Sequence, residues 1–143
     1  MGSRWTRGGR GSLGLSSSRV FLDTSFLIDY WRGLPEAQAM MSRLIDDGSE
    51  LVINDVVVCE LVTGLRDADF EAARRLLQPI EFVQPGPETA FEAGRWRATA
   101  RANGLSLSLA DSLIASAALA AGAQVMTRNV RDIELTPVTV TTY

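Results

Sequence analysis

The feature that most constrains this chain is an alternation of short apolar, often β-branched runs with longer segments of helical periodicity, beginning at Arg19 and continuing to the last residues. Strands separated by helix-length connections pair in parallel and need helices on both faces of the sheet, so the expected fold class is α/β, three layers around a central parallel sheet of about four to five strands. Strands are expected at Arg19 to Leu22, Leu51 to Ile53, Ile80 to Val83 and Gln124 to Thr127, with an edge strand at Val138 to Thr142. Between them the pattern predicts a helix from about Phe26 to Gly33, one from Pro35 to Asp47, one capped by Asn54 or Asp55 and ending at Gly64, and one over Asp67 to Leu77. Beyond the Pro85-Gly86-Pro87 turn come a helix over Glu88 to Ala102, ended by Asn103-Gly104, and a strongly apolar helix opened by Ser108.

Residues 1–18 break this pattern. They are rich in Gly, Ser and Arg and carry no hydrophobic period, which predicts a disordered basic tail ahead of a single domain over 19–143. The interleaved Arg4, Trp5, Arg7 and Arg10 could touch RNA, but a solvated extension is the simpler reading. From Val20 onward there are 10 Arg against 17 Asp and Glu, a formal balance of −7. A nucleic-acid surface is usually basic, and an acidic domain fits that role only if several acids hold cations where phosphate arrives. No run reaches the length of a membrane span and the tail has no apolar signal-peptide region, so a cytoplasmic protein is expected.

The chain has no His and no Lys. That excludes Ser-His-Asp and Cys-His chemistry, imidazole metal sites, a P-loop lysine and a Schiff base. Cys59 is the only cysteine, which excludes an internal disulfide. Carboxylates, hydroxyls, arginines and bound metal remain.

Ligands of open parallel sheets bind beyond the carboxyl ends of the strands. That places Asp23, Asn54, Asp55 and the loop from Arg128 to Asp132 near any site. Asp23 follows Phe21-Leu22 and reads equally well as a helix N-cap or as a functional carboxylate. Asp111 lies in Ser108-Leu-Ala-Asp-Ser-Leu-Ile-Ala, a helix apolar almost all round, where an ionised carboxylate needs a compensating cation or several donors. A capping box with Ser108 is the competing explanation, and Asp is short for it. Glu60 falls off the apolar arc of Val57, Val58, Leu61, Val62 and Leu65, and on pattern alone faces solvent. Arg128 and Arg131 sit in a polar run after a strand, where a fork to phosphate and an ordinary surface role are both open.

Taken in order, Leu22-Asp23-Thr24-Ser25, Glu60-Leu61-Val62-Thr63-Gly64, Ser108-Leu-Ala-Asp111-Ser-Leu-Ile-Ala115 and Thr127-Arg128-Asn129 resemble the motifs of the PIN-domain nucleases, in particular the VapC toxins of toxin–antitoxin pairs, across residues 19–143. The resemblance implies that Asp23, Glu60 and Asp111 form an acidic cluster binding Mg²⁺, or Mn²⁺ in its place, and that a metal-activated water hydrolyses an RNA phosphodiester. It implies a 5′-phosphate and a 3′-hydroxyl as products, a homodimer, and a cognate antitoxin that blocks the acidic site. Where the family often has a fourth acid this chain has Asn129, with Asp132 three residues on, and either fills the fourth position. Thr24, Ser25, Thr127 and Arg128 are expected to orient the scissile group. Trp31, Leu34, Met40 and Met41 are candidates for an apolar partner surface or for the core. A PIN-like binding module that has lost a ligand, and a metal-dependent phosphohydrolase, are the alternatives.

Overall fold

The computed structural model describes residues 18–143, so the expected tail lies outside the described residues except for Ser18. Five strands form one sheet: β1 (Arg19–Leu22), β2 (Glu50–Ile53), β3 (Glu81–Phe82), β4 (Gln124–Met126) and β5 (Val140–Thr141). All neighbours pair in parallel, in the order β3-β2-β1-β4-β5. The helices among the described residues are α1 (Thr24–Trp31), α2 (Pro35–Asp46), α3 (Asp55–Thr63), α4 (Phe70–Leu77), α5 (Pro87–Ala102), α6 (Leu109–Ala120) and α7 (Val130–Ile133). The α/β class, the parallel sheet and its flanking helices are as the alternation predicts.

The central strand shows why the alternation fixes the class. Val20, Phe21 and Leu22 have no solvent-exposed surface, as a parallel strand covered on both faces requires. Chain order runs outward from β1 to β3 on one side, then returns past β1 to β4 and β5. Right-handed crossovers then put the two excursions on opposite faces. The direction reverses between β1 and β4, and the loops leaving those two strands diverge around a crevice at the carboxyl end of the sheet.

Local signals set most boundaries. Asn54 caps α3 by accepting the Val57 amide at 3.2 Å, which decides between the two expected caps. Gly33 and Gly104 end their helices at φ of +80° and +74°, a conformation that costs a residue with a Cβ about 1 kcal/mol or more. The segment expected as one helix from Asp67 opens instead as a 3-10 turn (Asp67–Asp69) before α4. The expected loop from Arg128 to Asp132 contains the short helix α7. Its single turn buries Ile133, and no hydrophobic period exists over four residues to announce it.

Met40 and Met41 point inward and belong to the hydrophobic core with Phe26, Leu27 and Leu44, which removes them from the expected partner surface. Leu34 is exposed and Trp31 half-buried. Among the described residues no helix is long and apolar enough to cross a membrane.

Candidate metal centre and substrate cleft

A cavity of about 260 Å³ opens at the β1/β4 crevice, lined by Asp23, Thr24, Ser25, Ile28, Glu60, Asp111, Arg128 and Asn129. The chain positions that the four motifs single out, separated by more than a hundred residues, meet here.

Asp23 leaves β1 with extended backbone and donates its amide to the Met126 carbonyl at 3.0 Å, which stitches the two central strand ends together. It occupies the N-cap position of α1, yet its carboxylate makes no capping bond. Instead Oδ2 accepts the Ser25 hydroxyl at 2.8 Å and the Thr127 hydroxyl at 2.7 Å. Each hydroxyl also accepts a backbone amide from the loop after β4: Arg128 N–H reaches Ser25 Oγ at 3.1 Å and Asn129 N–H reaches Thr127 Oγ1 at 2.8 Å. A hydroxyl has one proton, so both protons go to Asp23 and the 3.3 Å Ser25–Thr127 contact is a by-product of their common acceptor. The carboxylate is thereby fixed in rotation. Among the described residues no donor reaches its Oδ1, and Asp23 lines the cavity.

Glu60 projects from α3. It is exposed, as its place off the apolar arc predicts, but the solvent it faces is the cleft, and its Oε1 accepts the Thr24 hydroxyl at 2.6 Å. Asp111 comes from the first turn of α6. Ser108 caps that helix by accepting the Asp111 amide at 3.0 Å, so half of the competing capping box exists. The return bond from the Asp111 carboxylate to the Ser108 amide is not formed, and the side chain is left in the cavity wall. Its pKa is raised above the ordinary 3.8, first by burial, then by the charges of Asp23, Asp132 and Glu60, against a lowering contribution from the Ser108 hydroxyl. The carboxylates therefore sense one another.

The remaining expected residues divide. Thr24 and Ser25 line the cleft although buried, and Asn129 lines it from the exposed N-cap of α7. Thr127 has no exposed surface and is absent from the cavity wall, and its hydroxyl is bonded to Asp23. Asp132 is exposed on α7 outside the wall, near enough only to raise Asp111 electrostatically. Asn54 and Asp55 line a separate cavity with Pro85, Gly86 and Leu113.

Two residues were not foreseen. Asp29 on α1 is buried, with Oδ1 paired to Arg128 Nη1 at 3.0 Å and Oδ2 accepting the Tyr143 hydroxyl at 2.5 Å. Burial, together with the Asp29 carboxylate that its proton serves, holds the Tyr143 phenol far above its usual range. The signal that marked Asp111, an acid inside an apolar helix, is present at Asp29 in Phe26-Leu27-Ile28-Asp29-Tyr30-Trp31.

The donor set is all oxygen and anionic, which suits a hard divalent cation. Among the described residues no three Asp, Glu, His or Cys side chains are close enough to grip one bare ion. Three carboxylates nevertheless line the wall of this one cavity.

A strand-end carboxylate at the switch point of a five-stranded parallel sheet, facing two more acids from flanking helices, defines the class. The chain belongs to the PIN-domain family, whose sequence model matches residues 20–135. Ribonuclease VapC19 of Mycobacterium tuberculosis is 28% identical over 116 residues, covering 81% of this chain and 93% of that protein. Among solved structures, DNA-bound VapBC from Salmonella typhimurium superposes with a TM-score of 0.76 at 22% identity, covering 87% of this chain and 98% of that one. VapBC-1 from nontypeable Haemophilus influenzae gives 0.74 at 22% identity, covering 87% and 97%. At such identities the superpositions establish a common fold.

Proposed function

We propose that this protein is a Mg²⁺-dependent endoribonuclease of the VapC type, acting in the cytoplasm as the toxin of a toxin–antitoxin pair. The observation that carries the reading is the convergence of Asp23, Glu60 and Asp111, from β1, α3 and α6, on one cavity at the β1/β4 crevice. The matched PIN family and the ribonuclease named among the relatives support the same activity.

In this reading Asp23, Asp111 and Glu60 are the residues that would hold the divalent ion. Mn²⁺ meets the same oxygen donors. When bound, the ion supplies positive charge against the phosphate and lowers the pKa of a coordinated water. The chain's own contribution is orientation. Ser25 and Thr127 lock the Asp23 carboxylate, Thr24 locks Glu60, and the α6 cap fixes the turn that carries Asp111. Glu60, the most exposed of the three, would accept a proton from the attacking water in this reading. Asn129 takes the fourth position in preference to Asp132, because it lines the cavity and Asp132 does not. Arg128, at the rim, meets the incoming phosphate.

The partners follow from the same reading. A cognate antitoxin covers the acidic cleft, in keeping with the VapBC complexes among the structural relatives, and the family resemblance adds a homodimer. The test is cleavage of total RNA by purified protein with Mg²⁺, with EDTA, and with Asp23→Asn and Asp111→Asn. Discrete fragments that require metal and vanish in both variants support the assignment. A folded, antitoxin-free protein that cuts nothing under any divalent metal overturns it in favour of a non-catalytic binding module.

A further inference from the structure

Arg128 is held in an unusual way for a residue at the rim of an acidic cleft. Its backbone amide is bonded to Ser25 Oγ, the same hydroxyl that orients Asp23. Its guanidinium is bonded through Nη1 alone, to Asp29. The two partners differ sharply in exposure: the Asp29 side chain is 7% exposed and that of Arg128 57%. Asp29 is fixed in turn, since its second oxygen accepts the Tyr143 hydroxyl, and the Tyr143 ring packs edge-on against Phe26 with centroids 4.9 Å apart. A guanidinium has five N–H donors, and among the described residues only the Asp29 contact occupies one. Here the buried partner serves as the anchor for one nitrogen of the fork, and Arg128 lines the cleft together with Asp23.

We propose that Asp29 and Tyr143 form a clamp that presents the free edge of Arg128 to a backbone phosphate of the RNA entering the carboxylate cleft. The inference rests on the nuclease reading and deepens it. Arg128 is the substrate contact, while Asp29 and Tyr143 are positioning residues that act through it. The chemistry requires such a group: Asp23, Glu60, Asp111 and nearby Asp132 repel a polyanion, and a planar cation held at fixed orientation takes two phosphate oxygens together. Tyr143 is needed because Arg128, the group to be positioned, cannot itself anchor the carboxylate that holds it, and the Tyr143 hydroxyl supplies a hold on Asp29 from elsewhere in the fold. A second donor on the other oxygen fixes the plane in which the guanidinium lies.

The experiment is a double-mutant cycle on the full chain with a fluorescent single-stranded RNA. Steady-state cleavage in Mg²⁺ is measured for wild type, Tyr143→Phe, Arg128→Ala and the pair, and equilibrium binding is titrated against NaCl in an Asp111→Asn background, where RNA is not cut. Arg128→Ala is expected to raise KM about tenfold with kcat within about twofold, and to reduce the magnitude of the log Kd against log salt slope by about 0.7, the value of one phosphate contact on a single strand. Tyr143→Phe is expected to raise KM about threefold alone and not at all once Arg128 is alanine. Asp29→Asn, if it folds, follows Tyr143→Phe. The clamp is refuted if Tyr143→Phe raises KM equally in both backgrounds, which would mark a purely structural role, or if Arg128→Ala leaves the salt slope unchanged. Failure of the nuclease reading is separately visible: wild type then cuts nothing, while the salt slopes still decide whether Arg128 touches phosphate.

Discussion

Replacing Thr127 by Val tests the hydroxyl network that orients Asp23. Valine matches threonine in shape, and Thr127 is wholly buried, so the exchange alters hydrogen bonding with little change in packing. Two interactions end. The 2.7 Å bond donated to Asp23 Oδ2 is charge-assisted, a type worth about 1.5–3 kcal/mol. The Asn129 amide, which donates to Thr127 Oγ1 at 2.8 Å, is left facing a methyl, at a cost of about 1 kcal/mol because Asn129 is exposed and water can reach part of the gap. The Ser25 hydroxyl still holds Asp23, so the loss sits in the lower part of the range, about 3 kcal/mol. For a domain of this size about 3–4 °C accompanies each kcal/mol, which predicts a Tm lower by roughly 10 °C in EDTA. The assay is thermal unfolding followed by circular dichroism, with Thr127→Ser as control. Serine keeps the hydroxyl and gives up one buried methyl, at about 1 kcal/mol, so its Tm falls only by roughly 3–4 °C. A Thr127→Val protein melting within about 2 °C of wild type, or a serine variant as unstable as the valine one, would refute the argument that the hydroxyl carries the effect.

Three further outcomes follow from the same geometry. The Asp111 carboxyl has a pKa raised in the fold above 3.8, so its contribution to stability is present below the unfolded value and is lost as pH rises through the raised one; Asp111→Asn should therefore melt higher than wild type at neutral pH in EDTA, with the gain gone at pH 3, where both side chains are neutral. Mg²⁺ at about 100 times its Kd should stabilise wild type by about 2.7 kcal/mol, read as a rise of roughly 8–10 °C in Tm, and should leave Asp23→Asn and Asp111→Asn almost unmoved; equal shifts in all three proteins would place the ion elsewhere. Gly104→Ala should cost about 1 kcal/mol measured by urea unfolding, because the added Cβ meets nothing within 4 Å and only the φ of +74° opposes it; a loss above about 3 kcal/mol would mean a packing role instead.

The sequence by itself determined the class, most of the elements and three acids that line one cavity. Parallel strands covered on both faces must be apolar throughout, so Val20-Phe21-Leu22 and Leu51-Val52-Ile53 announce themselves, and helices of ten residues or more carry enough turns for a period to show. The absence of His and Lys narrowed the chemistry to carboxylates, and the motifs around Asp23, Glu60 and Asp111 picked out three that meet in one cavity. The tertiary structure alone decided what each side chain does there. Asp23 occupies an N-cap position without capping, Ser108 caps α6 without a return bond from Asp111, and Glu60 faces a cleft instead of open solvent, because each partner or neighbour arrives from a distant element. Thr127 is buried, with its hydroxyl bridging the end of β4 to Asp23, and Met40 and Met41 were drawn into the core. The Asp29–Arg128–Tyr143 clamp joins residues 99 and 114 positions apart in the chain. Local sequence reports periodicity and capping because these act within one or two turns; pairing across such separations exists only once the sheet has set β1 beside β4.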